Sequence, residues 1–238
     1  MKQFKSAIQV TILIIWTITI IAITMVALII TFYPPWVLVI VRKVWAPFIL
    51  FVVGIKLKVE GTEHIDETQN YIIMANHTSY LDVPILLCAY PKNIYFVAKR
   101  ELIWVPFFGW MMWLLGMVFI DRSNPKRSVR SMKIAALKLK SGKNVLVFPE
   151  GTFDDSGNML PFKKGTFHIA VKAKMTILPV GIIGGHALWP HGNFFNLRNG
   201  KVTVRFGAPF KQEEEDDIKA INSLKNRSEK IVNNLIKH

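Results

Sequence analysis

The sequence has 238 residues, and its 30 Lys and Arg against 16 Asp and Glu give a formal net charge of +14. This length provides one domain with a sizeable core and argues against two complete domains. The charge indicates an anionic partner, but a mean hydropathy of +0.31 with 51% hydrophobic residues disfavours a nucleic-acid binder and favours a phospholipid surface or a phosphorylated substrate.

The first predicted element is a membrane helix over residues 7–32. This stretch carries no charge over about 26 residues, more than the ~20 needed to cross a bilayer core. It is too long and too rich in Ile and Trp for a cleaved signal peptide. Pro34 and Pro35 lack amide donors, so we expect the helix to end before them.

A second apolar stretch follows over residues 37–55, interrupted by Arg42 and Lys43. Charges at mid-depth in lipid are costly, so we expect this stretch to lie along the interface or to return as a bent hairpin arm. Residues 1–58 are therefore predicted to form a membrane-associated helical hairpin.

The orientation of the hairpin follows from positive charge. Lys2 and Lys5 favour a cytoplasmic N-terminus, and the basic residues after position 58 favour the same side. Both ends on one side require a hairpin embedded in one leaflet. We therefore expect a cytoplasmic-membrane location with residues 59–238 facing the cytoplasm, next to an anionic membrane surface.

Residues 59–238 alternate between short apolar runs and helical patterns, which predicts an α/β domain. Most of the runs are continuously apolar, as in a sheet covered on both faces. The predicted strands are 71–75, 94–98, 117–120, 145–148, 176–181 and 202–206. The predicted helices are 79–89, a basic one at 126–140, 166–173 and a C-terminal amphipathic one over 213–238.

Asn76 and His77 stand at the end of the first predicted strand, and Asp82 lies five residues beyond His77. One interpretation is that His77 and Asp82 cap and solvate the start of a helix. The other is that they are a general base and the acid that orients it. This stretch alone leaves both open.

The segment between the predicted strands at 94–98 and 117–120 is unusually rich in aromatic and methionine side chains. There are too many to hide around one short helix, so we expect some to form an exposed apolar surface or to line a groove. The following strand ends in Asp121 and Arg122, and strand ends are where sites accumulate in α/β folds.

The strand at 145–148 ends in Pro149, Glu150 and Gly151. Glycine at this place lets a ligand approach backbone amides closely, and Lys163 and Lys164 add positive charge. A turn with a capping glutamate explains the same pattern, so both interpretations stay open.

Four stretches in order, NHTSYLD, FIDR, FPEGT and ILPVGI, resemble the motifs of the bacterial type of the 1-acylglycerol-3-phosphate acyltransferase family. The resemblance extends over about residues 61–209. It implies a glycerolipid acyltransferase-like mixed central sheet flanked by helices. It also implies transfer of a fatty acyl group from acyl-CoA or acyl carrier protein to a lysophospholipid, which for 1-acylglycerol-3-phosphate gives phosphatidic acid.

The chemistry of the residues agrees with that implication. An imidazole suits deprotonation of an attacking hydroxyl near neutral pH, and a carboxylate on its other nitrogen fixes the tautomer. With the other motifs present we predict that His77 is the general base and Asp82 its orienting acid. The nucleophile is then the acceptor hydroxyl, and Ser79 as an acyl-enzyme nucleophile is disfavoured because nothing marks a strained elbow.

The resemblance also assigns a substrate-binding set and no cofactor beyond the acyl donor. The set is Asn76, Lys99, Arg122, Glu150, Gly151, Thr152, Lys163 and Lys164. No metal is expected, since His168, His186 and His191 have no metal-ligand spacing. Cys88 is expected to be a buried apolar side chain.

One departure from the family leaves the acceptor open. Where many members have Arg after FPEGT, this chain has Phe153, followed by Asp154 and Asp155. Either Arg122 and the nearby lysines hold the acceptor phosphate, or the acceptor is another lyso-lipid. A hydrolase that cleaves the thioester with water, and a catalytically silent basic membrane-binding protein, are the remaining alternatives.

Overall fold

A computed structural model describes residues 2–32, 34–121, 131, 134, 136, 137, 141–152, 155–190, 194–213 and 217–237. The strands are β1 Ile55–Glu60, β2 Tyr71–Ala75, β3 Ile94–Lys99, β4 Val118–Ile120, β5 Asn144–Val147, β6 Thr176–Ile183 and β7 Gly200–Phe206. The α-helices are α1 Lys2–Thr31, α2 Pro34–Ile40, α3 Ala46–Val53, α4 Asp82–Ala89, α5 Phe108–Leu114, α6 Phe167–Ala173, α7 Gly185–Leu188 and α8 Asp217–Lys237.

Within the described residues the strands form one seven-stranded sheet in the order β1-β7-β6-β2-β5-β3-β4. The neighbours from β6 to β4 are parallel, whereas β7 is antiparallel to β6 and parallel to β1. The predicted mixed sheet flanked by helices is therefore confirmed. Because β2, β5, β3 and β4 are parallel, the loops that follow them leave the same edge of the sheet.

The central strands are covered on both faces. Every residue of β2 and of β5 is buried, and two apolar clusters lie on opposite sides of the sheet, one containing residues of α5, α6 and α8 and the other residues of α3 and α4. This burial explains why continuous apolar runs predicted these strands. Strand β1 was not among the predicted strands, and its alternating pattern IKLKVE is that of a strand with one exposed face.

Two of the predicted helices differ from the structure at their ends. The helix predicted to begin at residue 79 begins at Asp82, because residues 76–81 form a loop instead. The C-terminal helix is described over Asp217–Lys237 and does not begin at the predicted Glu213, which is not helical, while residues 214–216 and 238 lie outside the described residues. Most of the helix predicted at 126–140 lies outside the described residues, although Ser131 and Ile134 are helical.

The N-terminal helix α1 lies against the α/β domain near both of its ends. At its start the Ser6 hydroxyl donates to the Leu197 carbonyl at 3.0 Å. Further along, Met25 and Leu28 pack against the same cluster as Met111. Among the described residues, two segments, Gln3–Thr31 and Pro34–Val53, are long and apolar enough to cross a membrane by length and composition alone.

The second apolar segment is bent and is tied to the domain. Pro34 and Pro35 open α2, where their missing amides leave no helical hydrogen bond unmade. A π-helical turn, Val41–Trp45, separates α2 from α3. Within this turn the Arg42 guanidinium donates to the Pro91 carbonyl. A backbone carbonyl thus satisfies one donor of this guanidinium, whereas its buried Nε has no hydrogen-bond partner among the described residues.

Candidate active site

The loop between β2 and α4 brings His77 and Asp82 into direct contact. His77 leaves the end of β2, and Asp82 opens the first turn of α4. The His77 Nδ1 and Asp82 Oδ2 atoms lie 2.8 Å apart. The Asp82 side chain is completely buried, whereas the His77 side chain is 18% exposed. The acid is therefore sheltered while the imidazole stays reachable.

Asp82 also organises the loop that carries His77. Its Oδ2 atom accepts the backbone amides of Thr78 at 2.7 Å and Ser79 at 2.9 Å, in addition to contacting His77. Amide donors stabilise a carboxylate in its charged form. These amides belong to the loop before α4, and the start of α4 has no side-chain cap hydrogen bond, so the contacts of Asp82 fit the orienting interpretation rather than helix capping.

The second oxygen of Asp82 faces a glycine. Asp82 Oδ1 is buried and has no hydrogen-bond partner among the described residues. A Cβ atom added at Gly185, at the start of α7, would stand 2.9 Å from Oδ1 and 3.3 Å from the Ser79 Cβ. The absence of a side chain at Gly185 therefore leaves room for the carboxylate. Sequence reasoning missed this residue, and the only signal was the Gly-Gly pair after a buried strand.

Ser79 is placed as a structural residue. It is fully buried, and its hydroxyl donates to the Trp189 carbonyl at 2.9 Å. It also accepts the Leu81 amide at 3.2 Å. A hydroxyl committed in this way is poorly suited to attack a donor, which agrees with the expectation that the nucleophile is not Ser79.

Two residues that follow β5, Phe148 and Glu150, contact His77. The Phe148 ring stacks on the imidazole with centroids 4.0 Å apart and planes at 14°. Glu150 Oε1 accepts the His77 backbone amide at 2.7 Å, and Oε2 accepts the Leu160 amide at 2.6 Å. Glu150 therefore joins the His77 loop to the loop that follows β5, as a turn-capping glutamate would.

Burial raises the pKa of Glu150 to about 7, and the Asp82 charge acts in the same direction. The two amide hydrogen bonds act against the shift by favouring the charged form. The environment around His77 thus contains a carboxyl group that titrates near neutral pH.

Asn76 fastens β2 to β6. Its side-chain amide donates to the Ile182 carbonyl at 2.9 Å, and its Oδ1 accepts the Ile182 amide at 2.7 Å. It is almost completely buried. Substrate binding by Asn76 and Glu150 stays a prediction, and the contacts seen for both side chains are with protein backbone.

The remaining members of the predicted substrate-binding set that the structure describes lie at the end of β3 or in the segment that follows β5. Lys99 ends β3, and its Nζ lies 3.6 Å from Glu101. Gly151 has a positive φ of 76°, and the Lys163 amide donates to the Pro149 carbonyl at 2.9 Å. The side chains of Thr152, Lys163 and Lys164 are exposed.

Arg122, Phe153 and Asp154 lie outside the described residues. Next to them, the buried Asp121 accepts a hydrogen bond from Arg100 Nη1 at 2.7 Å. Sequence analysis did not single out Arg100. It stands beside Lys99 at the end of β3, so this pair adds a second cation to the same part of the sheet edge.

No group of three or more His, Cys, Asp or Glu side chains that could hold a metal ion occurs in the described part of the chain. Cys88 is partly buried rather than fully buried, and burial raises the pKa of its thiol to about 11. A thiol with such a pKa stays protonated at neutral pH and is a poor nucleophile.

Known proteins that are similar to this chain are acyltransferases. The family model described as "Acyltransferase" matches residues 56–183. The chain is 34% identical over 172 residues to the 1-acyl-sn-glycerol-3-phosphate acyltransferase of Cocos nucifera, covering 72% of this chain and 55% of that protein. It is 40% identical over 174 residues to the 1-acyl-sn-glycerol-3-phosphate acyltransferase alpha of Mus musculus, covering 72% and 61%.

A solved structure is similar over nearly its whole length. The crystal structure of the 1-acyl-sn-glycerophosphate (LPA) acyltransferase, PlsC, from Thermotoga maritima is 28% identical, with a TM-score of 0.78, and the match covers 97% of this chain and 98% of that one. The N-terminal helices are therefore included in the structural similarity. The match to the curated plant and animal relatives instead spans little more than half of their length.

Proposed function

Since the chain belongs to the acyltransferase family, we propose that it moves a fatty acyl group from a thioester to the free hydroxyl of 1-acylglycerol-3-phosphate, giving phosphatidic acid. The observation that carries this proposal is the 2.8 Å contact between His77 Nδ1 and Asp82 Oδ2. The names of the relatives in Cocos nucifera and Mus musculus support this choice of acceptor. The donor is acyl-CoA or acyl carrier protein, since both present the same thioester.

The chemical step follows from the tautomer of His77. With its proton on Nδ1 and directed to Asp82, the imidazole keeps its basic lone pair on Nε2. As the acceptor oxygen attacks the thioester carbonyl carbon, its proton passes to Nε2, and Asp82 stabilises the imidazolium. Collapse of the tetrahedral intermediate forms the ester and breaks the C–S bond. The departing thiolate then takes the proton from Nε2.

The acceptor phosphate requires cations, and the sheet edge offers several. Lys99, Lys163 and Lys164 are exposed there, and Arg122 of the FIDR stretch follows β4 in sequence. We assign the phosphate to Arg122 together with these lysines, because Phe153 replaces the arginine that many relatives have. That replacement also favours one alternative acceptor, a lysophospholipid with a substituted head group and less charge.

The hairpin of residues 1–58 is proposed to sit in one leaflet of the cytoplasmic membrane. Contacts near both ends of α1 with the α/β domain support this arrangement, because a helix that crossed the bilayer would carry one end away from the domain. The Arg42 contact with Pro91 supports an interfacial second arm. The α/β domain then faces the cytoplasm with its net positive charge toward anionic lipid.

The test is a product assay with purified protein in vesicles. Labelled acyl-CoA and labelled acyl carrier protein are each offered with lysophosphatidic acid and with head-group-substituted lysophospholipids. A diacyl product formed fastest from lysophosphatidic acid supports the proposal. A diacyl product from another acceptor alone changes the acceptor, release of free fatty acid indicates a hydrolase, and no product from any pair contradicts acyl transfer.

A further inference from the structure

Helix α5 is apolar on both of its faces, which is unusual for a surface helix. Its inner face, with Gly109 and Met111, is buried in the core. Four exposed aromatic side chains lie on α5, on the 3₁₀ turn Arg100–Trp104 and on the link between them. They are Trp104, Phe107, Trp110 and Trp113, and we call them the aromatic face. Trp104 is 76% exposed and Trp113 is 61% exposed. A helix that is apolar all round requires a partner on its outer side.

The backbone is strained where the aromatic face is displayed. Phe107 has φ +62°, a conformation that non-glycine residues rarely adopt. Its ring makes an edge contact with Trp110, with centroids 5.5 Å apart. Strain that persists next to an exposed aromatic pair points to a function rather than to packing.

The aromatic face adjoins the apolar surface of α1. Met25 and Leu28 on one side of α1 pack in the same cluster as Met111 of α5. The other side of this half of α1 exposes Ile29 and Ile30. Because α1 and α5 are in contact, the aromatic face and the exposed apolar side chains of α1 lie on neighbouring helices. Helix α1 is also long and apolar enough for a bilayer.

The aromatic face and His77 both follow the carboxyl ends of parallel strands in the same sheet. The 3₁₀ turn Arg100–Trp104 leaves the end of β3, and His77 leaves the end of β2 at the same edge of the parallel strands. A lipid layer against the aromatic face would therefore face the edge that carries His77. Tryptophan favours the interface between headgroups and acyl chains, and the net charge of +14 complements anionic lipid.

We propose that the aromatic face is a second bilayer contact, supplied by the α/β domain itself, which inserts at headgroup level in an anionic membrane. The N-terminal hairpin then anchors the chain, and the aromatic face orients the His77 edge toward the lipid that holds the acceptor. The occupant is the bilayer rather than a second copy of this chain.

The test measures where a label on the aromatic face resides in the full-length protein. Cys88→Ala provides a cysteine-free background, and Trp113→Cys receives a nitroxide label. Ile218→Cys is the matched control, because Ile218 is exposed and apolar but lies on α8. Vesicles contain equal parts of phosphatidylcholine and phosphatidylglycerol. For each label we compare the collision rate with oxygen, which enters the bilayer, to that with an aqueous nickel chelate. We expect this oxygen-to-nickel ratio to be several-fold higher for label 113 than for label 218.

Two results would overturn the proposal. Label 113 that is as accessible to nickel as label 218 shows that the face stays in water. Spin–spin broadening of label 113 in detergent without vesicles shows that a second protein copy covers it. Neither readout depends on acyl transfer, so they judge the membrane contact separately from the proposed reaction.

A second test measures acyl transfer and therefore rests on the proposed function. It asks whether loss of the aromatic face slows the reaction at a membrane. The triple variant Trp104→Ser, Trp110→Ser, Trp113→Ser should transfer acyl groups to a vesicle-borne acceptor about tenfold more slowly, because the reacting edge loses its orientation. The rate with a short-chain, water-soluble acceptor should be unchanged, and Ile218→Ser should change neither. Equal slowing with both acceptors would contradict a role in docking.

Discussion

The room left by Gly185 for Asp82 provides a sharp prediction, because one methyl group is enough to disturb the pair. In Gly185→Ala the new Cβ would stand 2.9 Å from Asp82 Oδ1, closer than the ~3.4 Å of an ordinary contact. The carboxylate therefore has to move by roughly 0.5 Å, the limit within which catalytic groups must be held. The Gly185 backbone itself is not in the left-handed region, so alanine adds crowding without backbone strain.

A shift of that size lengthens the His77–Asp82 contact from 2.8 Å to beyond the range of a good hydrogen bond. The imidazole then loses its fixed tautomer and orientation. Misplacement by ~1 Å costs about 10²-fold, so for half that shift we expect kcat/KM to fall on the order of tenfold. The fall should appear mainly in kcat, since neither residue is proposed to bind the acceptor.

The assay is acyl transfer in vesicles, with Tm measured on the same preparations. Gly207→Ala is the matched control, because its Cβ would stand 3.0 Å from Pro179 and away from Asp82. We expect Gly207→Ala to keep wild-type kcat at a similar Tm. Wild-type kcat in Gly185→Ala, or an equal fall in both variants, would refute the reasoning.

Three further predictions concern the neighbouring residues. His77→Ala should lower kcat by ~10²–10⁴-fold without releasing the protein from vesicles, and unchanged turnover would exclude His77 as the base. Because burial raises the pKa of Glu150 to about 7 from its usual 4.5, its contribution to stability is fully present below pH 4.5 and is lost as the pH rises through about 7. Urea unfolding at pH 5 and pH 8 should therefore show a smaller pH difference in Glu150→Gln than in wild type, and an identical difference would show that Glu150 does not titrate there. Phe153→Arg should selectively raise kcat/KM for lysophosphatidic acid over head-group-substituted acceptors, since a guanidinium binds phosphate in a bidentate way. An unchanged preference would mean that position 153 does not face the acceptor.

Elements that depend on a short run of residues were predictable from the residue pattern. The run at 71–75 is β2 residue for residue, and the long uncharged N-terminal stretch is α1. Apolar runs bounded by turn residues predict such elements because burial on both faces demands continuous apolar side chains. The contact between His77 and Asp82 could also be predicted, because only a short loop separates the two residues.

The residues that surround this pair come from distant parts of the chain and are known only from the folded structure. Glu150 is 73 residues from His77 and Ile182 is 106 residues from Asn76, yet each pair is hydrogen-bonded. Gly185 reaches Asp82 in the same way. These contacts exist because β2 lies between β6 and β5 in the sheet. Strand order arises from the packing of the whole domain, and no local pattern of residues along the chain specifies it.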